Sequence, residues 1–488
     1  MKSLSMLIAF VGVVFTTNIT ASAQAQPPRS EFGAIVEQYV ERRGFSGSVL
    51  IARQGEVIFE QAYGEASKEW GVKNTLNARY RIGSLSKPFL ATLIMKLSES
   101  GALALEDTLG QHLPELYADT PASPITIAQL LSHTSGIKDL PGRYDDPWYQ
   151  TTARLAYEPT QLANEWIKPE LTEEPGSVWR YNNAGYILLG LIVEAATGQS
   201  YAENLQKHLF QPAKMASSGV FDENAVLPRL AQGYAKAPDG ELIRPLKIDA
   251  SVFFSAAGIY SSAHDILRFD SALYDPAYIG GTAKELMFTR KTDFPYGFGW
   301  GVEEWPLGDN RTLSVTHHTG SIPGYQSFYI RSEKNRDAVI VLNNTNNGSA
   351  TIEMGRNLMI MLNNGVAPEV KRRLADYLGP IEHAGGVEAV QQAIEDFGPE
   401  LAEYDTRERT LNRLGYSYLG QERPEIAVVL FKWATQLFPN SANLYDSLGE
   451  GHRAAGDTQA AIESYERALG LDPDLQSAKN ALTELRAD

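Results

Sequence analysis

Apolar and polar positions follow two different periods in the first ordered part of the chain. Over residues 31–42 the apolar residues recur at helical spacing, which predicts an amphipathic helix. The next segments, Gly47–Arg53 and Glu56–Tyr63, are short, β-rich and separated by Gln54-Gly55. This arrangement predicts a β-hairpin that directly follows the helix.

Helical patterns dominate the middle of the chain, and strand patterns return after it. A helix is predicted from Tyr80 to about Leu97, and more helices, separated by Pro- and Gly-rich loops, over residues 125–273. Four strands are predicted at residues 297–302, 312–316, 325–330 and 338–343. A last helix is predicted at residues 351–362. We therefore predict an α+β domain over residues 30–365, in which helices and a mostly helical insertion flank one antiparallel sheet. A cleft between sheet and insertion is the expected site.

The C-terminal part of the chain contains an internal repeat. The matching positions, each 34 residues apart, are Leu414 and Leu448, Gly415 and Gly449, Ala427 and Ala461, Phe431 and Tyr465, Ala434 and Ala468, and Pro439 and Pro473. This period resembles the tetratricopeptide repeat, in which small residues lie where two helices cross. We predict an all-α tetratricopeptide-repeat domain over residues 385–488, with flanking helices at residues 386–397 and 477–486. The alternative is an unrelated helical bundle.

The first residues have the order of a secretory signal peptide. Met1-Lys2 is followed by an apolar run over residues 7–15 and by Ala21-Ser22-Ala23. We predict a signal peptide over residues 1–23 and a periplasmic or secreted mature protein; the alternative is a short buried core helix. No later segment approaches about 18 uninterrupted apolar residues, so no membrane span is expected.

Charge and cysteine content narrow the classes of partner and cofactor. The chain has 43 basic and 59 acidic residues and a formal charge of −16, which disfavours binding to nucleic acids or anionic membranes. It has no cysteine, so a disulfide framework and a thiolate metal site are excluded. No histidine spacing typical of a metal site occurs, and we expect neither a metal nor another cofactor.

The first candidate for chemistry is the Ser-x-x-Lys element Ser84-Leu85-Ser86-Lys87. On a helix this spacing places the hydroxyl and the amine on one face. Pro88 is tolerated only near a first helical turn, which predicts that Ser84 lies at a helix N-terminus. A nucleophile there has free backbone N–H groups nearby that can bind an oxyanion. A second copy, Ser135-Gly136-Ile137-Lys138, has the pattern of a helix C-terminus and turn. We predict a structural role for it.

Two further motifs supply polar groups. Tyr181-Asn182-Asn183 precedes an apolar helical run. The phenol of Tyr181, if it lies beside a lysine, could share its proton and act as a base. The Asn183 amide could hold a substrate carbonyl. A packed tyrosine beside a capping asparagine is the alternative. His318-Thr319-Gly320-Ser321 lies in the strand-rich region, where a glycine on an edge strand lets a substrate approach the backbone.

The three motifs in this order resemble the serine β-lactamase and penicillin-binding protein superfamily, whose Ser-x-x-Lys chemistry is well known. The resemblance covers about residues 30–365 and implies a secreted serine hydrolase. Its implied catalytic residues are Ser84, Lys87 and Tyr181. It also implies that Asn183, His318, Thr319 and Gly320 bind substrate, and that the backbone N–H groups of Ser84 and Ser321 form the oxyanion hole. The tyrosine motif places the chain with class C β-lactamases, DD-peptidases, D-aminopeptidases and esterases.

One position departs from class C β-lactamases, which usually carry lysine where this chain has His318. A histidine with an ordinary pKa is mostly neutral at neutral pH, so it offers hydrogen bonds rather than a fixed charge. The substrate is therefore expected to be an ester, a β-lactam or a D-amino-acid amide or peptide, with efficient β-lactamase activity disfavoured. The alternatives are a covalent receptor without turnover and a scaffold that acts through the repeats. For the repeats we expect a protein partner or self-association.

Overall fold

The computed structural model of the protein describes residues 29–141, 144, 146–237, 239–308 and 310–486. The predicted signal peptide, residues 1–23, lies outside the described residues. No described helix combines the length and the apolar character needed to cross a membrane.

The long strands lie at the two ends of the first 365 residues, and helices with a few short strands occupy the middle. The strands are β1 (Gly47–Arg53), β2 (Glu56–Tyr63), β3 (Glu65–Ser67), β4 (Val72–Lys73), β5 (Tyr80–Arg81), β6 (Gly219–Val220), β7 (Ala235–Lys236), β8 (Leu242–Ile243), β9 (Ile259–Ser261), β10 (Gly301–Gly308), β11 (Arg311–Ile322), β12 (Tyr325–Ser332) and β13 (Asp337–Asn343). The helices up to residue 362 are α1 (Arg29–Arg43), α2 (Ser86–Glu99), α3 (Leu109–His112), α4 (Pro114–Tyr117), α5 (Ile127–Leu131), α6 (Pro147–Gln150), α7 (Pro159–Trp166), α8 (Asn183–Thr197), α9 (Tyr201–Leu205), α10 (Phe254–Ala257), α11 (Ala263–Ala272), α12 (Gly281–Phe288) and α13 (Ala350–Leu362).

The main sheet joins the two ends of this region. Its six strands lie in the order β10-β11-β12-β13-β1-β2, and every neighbouring pair is antiparallel. The first strand pairs with the last, from Gly47 opposite Asn343 to Arg53 opposite Asp337. The predicted α+β class, with an antiparallel sheet and a largely helical insertion, is confirmed.

Both faces of the sheet are buried, and β1 shows why. Val49 and Ile51 pack with α1 and α13, whereas Leu50 and Ala52 pack with the larger core on the opposite face. Successive side chains of a strand point to opposite faces, so a continuous apolar run fits a strand covered on both sides. The larger core contains α2 and α8, which bring the candidate catalytic residues to one side of the sheet.

The C-terminal helical region comprises α14 (Leu374–Glu395), α15 (Glu408–Leu419), α16 (Pro424–Leu437), α17 (Ala442–Ala454), α18 (Thr458–Leu471) and α19 (Gln476–Leu485). Its apolar residues form two clusters separate from the sheet's cores. The repeated glycines have a packing reason: a Cβ on Gly415 would lie 2.3 Å from the Phe431 ring, and one on Gly449 would lie 2.6 Å from the Tyr465 ring. Helix α14 is broken at Gly386, beside the predicted domain start at residue 385. Assignment of these helices to the tetratricopeptide family stays a prediction.

A buried ion pair ties the sheet to the helical layer. Arg331 on β12 donates from Nε to Asp270 on α11 at 2.7 Å, and both side chains are almost fully buried. The Tyr329 hydroxyl also donates to Asp270. Glu333, which is partly exposed, accepts a second bond from Arg331 at 2.8 Å.

Replacing Asp270 with alanine is expected to destabilise the protein by about 3–5 kcal/mol, because Arg331 would keep its charge in a buried site without its main partner. Urea unfolding followed by circular dichroism measures the change. The matched control is Lys73→Ala, which removes an exposed ion pair with Glu65 and is expected to leave the unfolding midpoint nearly unchanged. Equal unfolding midpoints for the two variants would contradict a stabilising role for Asp270.

Candidate active site

Ser84 lies in a tight turn that opens helix α2. Residues Gly83–Leu85 form a single 3-10 turn, and the α-helix starts at Ser86. The turn is fixed by the Ser86 hydroxyl, which donates to the Gly83 carbonyl at 2.7 Å and accepts from the Ile259 N–H at 3.1 Å. The N–H groups at such a helix start have no acceptor within the helix, so the N–H of Ser84 is available to a substrate.

The predicted start of this helix at Tyr80 is wrong. Tyr80 and Arg81 instead form β5, which pairs with Ser261 and Tyr260 of β9. The helical periodicity of the sequence continues through these residues, but pairing with a distant strand replaces the first helical turn. Ser84, the candidate nucleophile, consequently follows a strand and precedes a helix.

Lys87 is fully buried beneath Ser84 and hydrogen-bonded at all three available positions. Its Nζ donates to Ser84 Oγ at 3.1 Å, to Asn183 Oδ1 at 2.9 Å and to the Ala256 carbonyl at 3.1 Å. Burial disfavours the charged ammonium and lowers the pKa of Lys87 to about 7, although the nearby Asp139 carboxylate opposes this shift. A substantial fraction of Lys87 is therefore neutral at neutral pH and able to accept a proton.

Tyr181 lines the same cleft as Ser84. The Lys87 Nζ is 4.8 Å from the centre of the Tyr181 ring. Burial raises the pKa of Tyr181 above its usual value. The phenol consequently holds its proton more tightly than an exposed tyrosine, and Lys87 is the more readily available proton acceptor of the two.

An aromatic cluster, which sequence reasoning did not assign a role, fixes the Tyr181 ring. His133 packs against Tyr181 and Tyr186 with ring centroids 4.4 and 4.9 Å apart, and Tyr296 lies at 4.9 Å. Its Nδ1 accepts the backbone N–H of Asn182 at 3.1 Å. Burial lowers the pKa of His133 far below its usual value, so the ring is neutral. His133 therefore positions the tyrosine motif from within the core.

The asparagines of the second motif have different tasks. Asn182 caps helix α8, because its side chain accepts the Gly185 N–H at 2.6 Å. Asn183 is the first helical residue, and its amide oxygen accepts from Lys87. The predicted substrate-binding residue is thus also a direct partner of the candidate catalytic residue Lys87.

Asp139 is a site residue that sequence reasoning missed. Its carboxylate accepts the backbone N–H groups of Asn183 and Ala184, each at 2.8 Å, and of Leu140 at 2.9 Å. Burial raises the pKa of Asp139 and these N–H groups oppose the shift. No local sequence signal marks this aspartate, since its partners Asn183 and Ala184 are about 45 residues away along the chain. It positions Asn183 and acts electrostatically on Lys87.

The third motif lies on the part of β11 that extends beyond the end of β10. Pairing with β10 stops at His317, so residues 318–322 pair with β12 alone. The free side approaches the nucleophile turn so closely that a Cβ on Gly320 would lie 1.8 Å from the Ile82 carbonyl oxygen. A Cβ on Gly83, whose φ is +57°, would lie 2.9 Å from the Ser321 nitrogen. Glycine at both positions lets the backbones of Ser84 and Ser321 meet.

His318 is 5% exposed, and both of its ring nitrogens already have protein partners. Its Nδ1 lies 2.6 Å from the Thr319 carbonyl and so donates, which leaves Nε2 to accept from the Tyr296 hydroxyl at 3.0 Å. Burial lowers the pKa of His318 to about 3, so the ring is neutral at neutral pH. His318 thus positions β11, and its side chain has no free hydrogen-bonding group for a substrate.

These elements enclose a cleft of about 180 Å³ in front of Ser84. Tyr181, Asn183 and Ser321 line it, whereas His318, Thr319 and Gly320 are not among its described lining residues. The remaining wall is apolar or aromatic and comprises Leu140, Tyr144, Tyr149, Ile187, Val252, Phe253, Ala256, Ala257 and Ile322. No acidic or basic side chain is among the described residues that line the cleft.

The second Ser-x-x-Lys copy lies in a turn, as its predicted structural role requires. Ser135 follows α5, and its hydroxyl accepts the Ile137 N–H at 3.4 Å. Gly136 has φ of +68°, and a Cβ there would lie 2.0 Å from the Glu173 carbonyl oxygen.

Among the described residues, no three His, Asp or Glu side chains are grouped closely enough to hold a metal ion.

Replacing Asp139 with asparagine is expected to move the acidic limb of the pH profile of kcat/KM to lower pH. The Asp139 charge raises the pKa of Lys87, so its loss lowers that pKa and keeps the amine neutral in more acidic solution. The pH dependence of ester hydrolysis measures the shift. Asp107→Asn is the control, because Asp107 bonds to Ala104 and His112 instead. An unmoved limb, or one moved to higher pH, would contradict the role of Asp139.

The fold agrees with comparisons to known proteins. A family model described as Beta-lactamase matches residues 32–359. A penicillin-binding protein of Bacillus subtilis (strain 168) is 30% identical over 336 residues, which cover 65% of this chain and 72% of that protein. The teichoic acid D-alanine hydrolase of Staphylococcus aureus is 28% identical over 273 residues, 56% of this chain and 62% of that protein.

Solved structures show the same architecture. The penicillin-binding protein from Bacillus halodurans is 26% identical, with a TM-score of 0.58, and the match covers 67% of this chain and 98% of that chain. The D-amino acid amidase from Ochrobactrum anthropi, 22% identical with a TM-score of 0.56, shares the fold over 68% of this chain and 97% of that chain. The matched part thus leaves out most of the C-terminal helical region.

Proposed function

Because the chain belongs to the β-lactamase family of serine hydrolases, we propose that it hydrolyses a small ester or amide through an acyl-enzyme formed on Ser84. The observation that carries the proposal is the 3.1 Å contact between Lys87 Nζ and Ser84 Oγ. That contact is made by a lysine whose pKa is lowered to about 7 by burial. A neutral amine next to a hydroxyl is the arrangement that activates a serine.

In the acylation step, neutral Lys87 accepts the proton of Ser84 while Oγ attacks the substrate's carbonyl carbon. The new Oγ–C bond converts the carbonyl oxygen into an oxyanion, which the N–H groups of Ser84 and Ser321 stabilise. Tyr181, whose pKa is raised by burial and which is protonated at the start of the step, donates its proton to the leaving group as the bond between that group and the acyl carbon breaks. The protonated Lys87 then returns a proton to Tyr181. In deacylation Lys87 accepts a proton from the attacking water, the Oγ–C bond breaks, and Lys87 returns the proton to Ser84 Oγ as the acid is released.

The cleft supports a small substrate whose acyl group is uncharged. Its volume of about 180 Å³ is below that of a typical drug-sized pocket, and its described walls are aromatic or apolar. A carboxylate beside the reacting carbonyl would have no cationic side chain to pair with, since His318 is neutral and buried. This favours esters and neutral amides over β-lactams, which carry such a carboxylate.

A D-amino-acid ester or amide is the second candidate. The hydroxyls of Tyr144 and Tyr149 and the amide of Asn183 line the cleft and can accept or donate hydrogen bonds to an amino group. The names of the Staphylococcus aureus and Ochrobactrum anthropi proteins assign D-alanine or D-amino-acid chemistry to those relatives. Both candidates form an acyl-enzyme on Ser84, and they differ only in the acyl group that is attached.

The test compares three substrates with the purified protein: p-nitrophenyl butyrate, D-alanine p-nitroanilide and a chromogenic cephalosporin. We expect ester or D-alanyl anilide turnover to exceed cephalosporin turnover, and D-alanine to exceed L-alanine if the second candidate is correct. Mass spectrometry of the intact protein follows the acyl adduct in parallel. A stable adduct without turnover on every substrate would support a covalent receptor in place of a hydrolase.

We also infer that the mature protein is exported and that the C-terminal helical region contacts a protein partner or a second copy. The signal-peptide pattern of residues 1–23 supports export, and the separate apolar clusters of the helical region support a distinct domain. A penicillin-binding protein homologue from Pyrococcus abyssi, 25% identical with a TM-score of 0.60, is octameric. Light scattering of the purified protein measures its assembly state directly.

A further inference from the structure

Six arginines line a pocket between the hydrolase domain and the C-terminal helical region. The pocket has a volume of about 490 Å³ and shares no lining residue with the cleft at Ser84. Its walls come from α1, α13, the start of α14 with the residue before it, and α15 with the segment before it. We call it the arginine pocket and define it by its guanidinium groups: Arg43, Arg356, Arg373, Arg407, Arg409 and Arg413.

Two of these arginines are neutralised by close carboxylates. Arg43 contacts Glu353 at 2.9 Å, and Arg407 holds Asp405 through two bonds of 2.7 and 2.5 Å. Arg373 and Arg356 have more distant partners, namely Asp376 at 3.5 Å and Glu303 at 3.8 Å. Such long, partly exposed pairs contribute little and leave the guanidinium groups able to bind another anion.

The other two arginines have no acidic partner. Arg409 and Arg413 are four residues apart on α15, so their side chains lie on one face of the helix. Neither makes an ion pair or a side-chain hydrogen bond with any residue in the described ranges. The pocket consequently has two unbalanced positive charges in a chain whose formal charge is −16.

A second, independent observation concerns Arg43, which lines the same pocket as Arg409 and Arg413. Arg43 is 5% exposed, and its Nε is buried without a hydrogen-bond partner among the described residues. A buried donor without a partner is costly unless a ligand or water reaches it.

From these features we propose that the arginine pocket binds a small dianion that carries a phosphate group or two carboxylates. The planar guanidinium group matches both oxyanions through paired hydrogen bonds. Two charges on the ligand balance the two unpaired arginines, and the pocket is large enough for a whole small molecule. A bound dianion would also link α13, which packs on the main sheet, to the first helix of the repeats.

Isothermal titration calorimetry of the full-length mature protein, at constant ionic strength in chloride buffer, tests the proposal with inorganic phosphate and with succinate. We expect saturable binding of at least one anion, and an affinity that is roughly tenfold or more lower when Arg409→Gln and Arg413→Gln are combined. Preference for phosphate identifies a phosphoryl ligand, and preference for succinate identifies a dicarboxylate.

Two further variants separate a built site from general charge attraction. Arg467→Gln removes an exposed arginine of α18 outside the pocket and should leave the affinity unchanged. Arg409→Lys with Arg413→Lys keeps the charge but loses the paired hydrogen bonds, and should weaken binding to an intermediate extent. Unchanged ester hydrolysis verifies that each variant is folded. The proposal is overturned if neither anion binds saturably, or if the Arg467 variant and the double glutamine variant bind equally well.

Discussion

Replacing Ser84 with alanine is expected to lower kcat/KM for p-nitrophenyl butyrate by roughly 10⁴-fold or more. The Ser84 hydroxyl accepts from Lys87 Nζ at 3.1 Å and lines the same cleft as Tyr181. Alanine removes the attacking oxygen and leaves the turn that presents it intact, because that turn is fixed by Ser86. Steady-state kinetics together with intact-protein mass spectrometry measures the loss of both turnover and acyl adduct.

The chain offers a matched control in its second Ser-x-x-Lys element. Ser135→Ala also removes a buried hydroxyl from such an element, but Ser135 lies in a turn and does not line the cleft. We expect this variant to keep nearly all activity. Full turnover in Ser84→Ala, or an equal loss in both variants, would mean that Ser84 is not the nucleophile.

Replacing Lys87 with methionine is expected to lower kcat/KM by about 10²–10⁴-fold, the usual contribution of a general base. In the unmodified protein, kcat/KM should rise with pH and level off above about 7, the value to which burial lowers the pKa of Lys87. The direction follows from the chemistry: below that pH the amine is protonated and cannot accept the proton of Ser84. Methionine fills a similar volume without titrating, so the limb near pH 7 should disappear from the residual activity.

His318→Gln serves as the control for the assignment of this limb. Burial lowers the pKa of His318 to about 3, so its loss removes no titration near neutral pH. The variant is expected to keep a limb at the same pH whatever its absolute rate. If the limb vanishes with His318 and survives the loss of Lys87, the histidine is the titrating group and the proposed mechanism fails.

Local patterns were sufficient to predict most elements of the sheet and its neighbours. The hairpin β1–β2, helix α1 and the strands near Tyr325 and Ala338 were predicted because their apolar periodicity agrees with burial in the folded chain. The start of α2 was predicted incorrectly, because Tyr80 and Arg81 pair with β9, which lies far along the chain. Tertiary pairing there prevails over a helical pattern.

The order of three motifs was likewise enough to identify the family, which the match over residues 32–359 confirms. The motifs could not show how their residues are held. Asp139 and His133 act through backbone groups of Asn182, Asn183 and Ala184 that are distant in sequence. The buried state of His318 also depends on Tyr296, which no motif contains. Such contacts appear only once the chain is folded.

The pairing of the first strand with the last has a consequence for biosynthesis. One edge of β1 pairs with β2, which follows directly, but the other edge stays without its partner until Asp337–Asn343 has been made. At a synthesis rate of about 5–20 residues per second, this delay is on the order of tens of seconds. During that time the open edge of an apolar strand makes the unfinished chain prone to aggregation. Ser321 is also made late, so the proposed oxyanion hole of Ser84 and Ser321 is incomplete in such a chain.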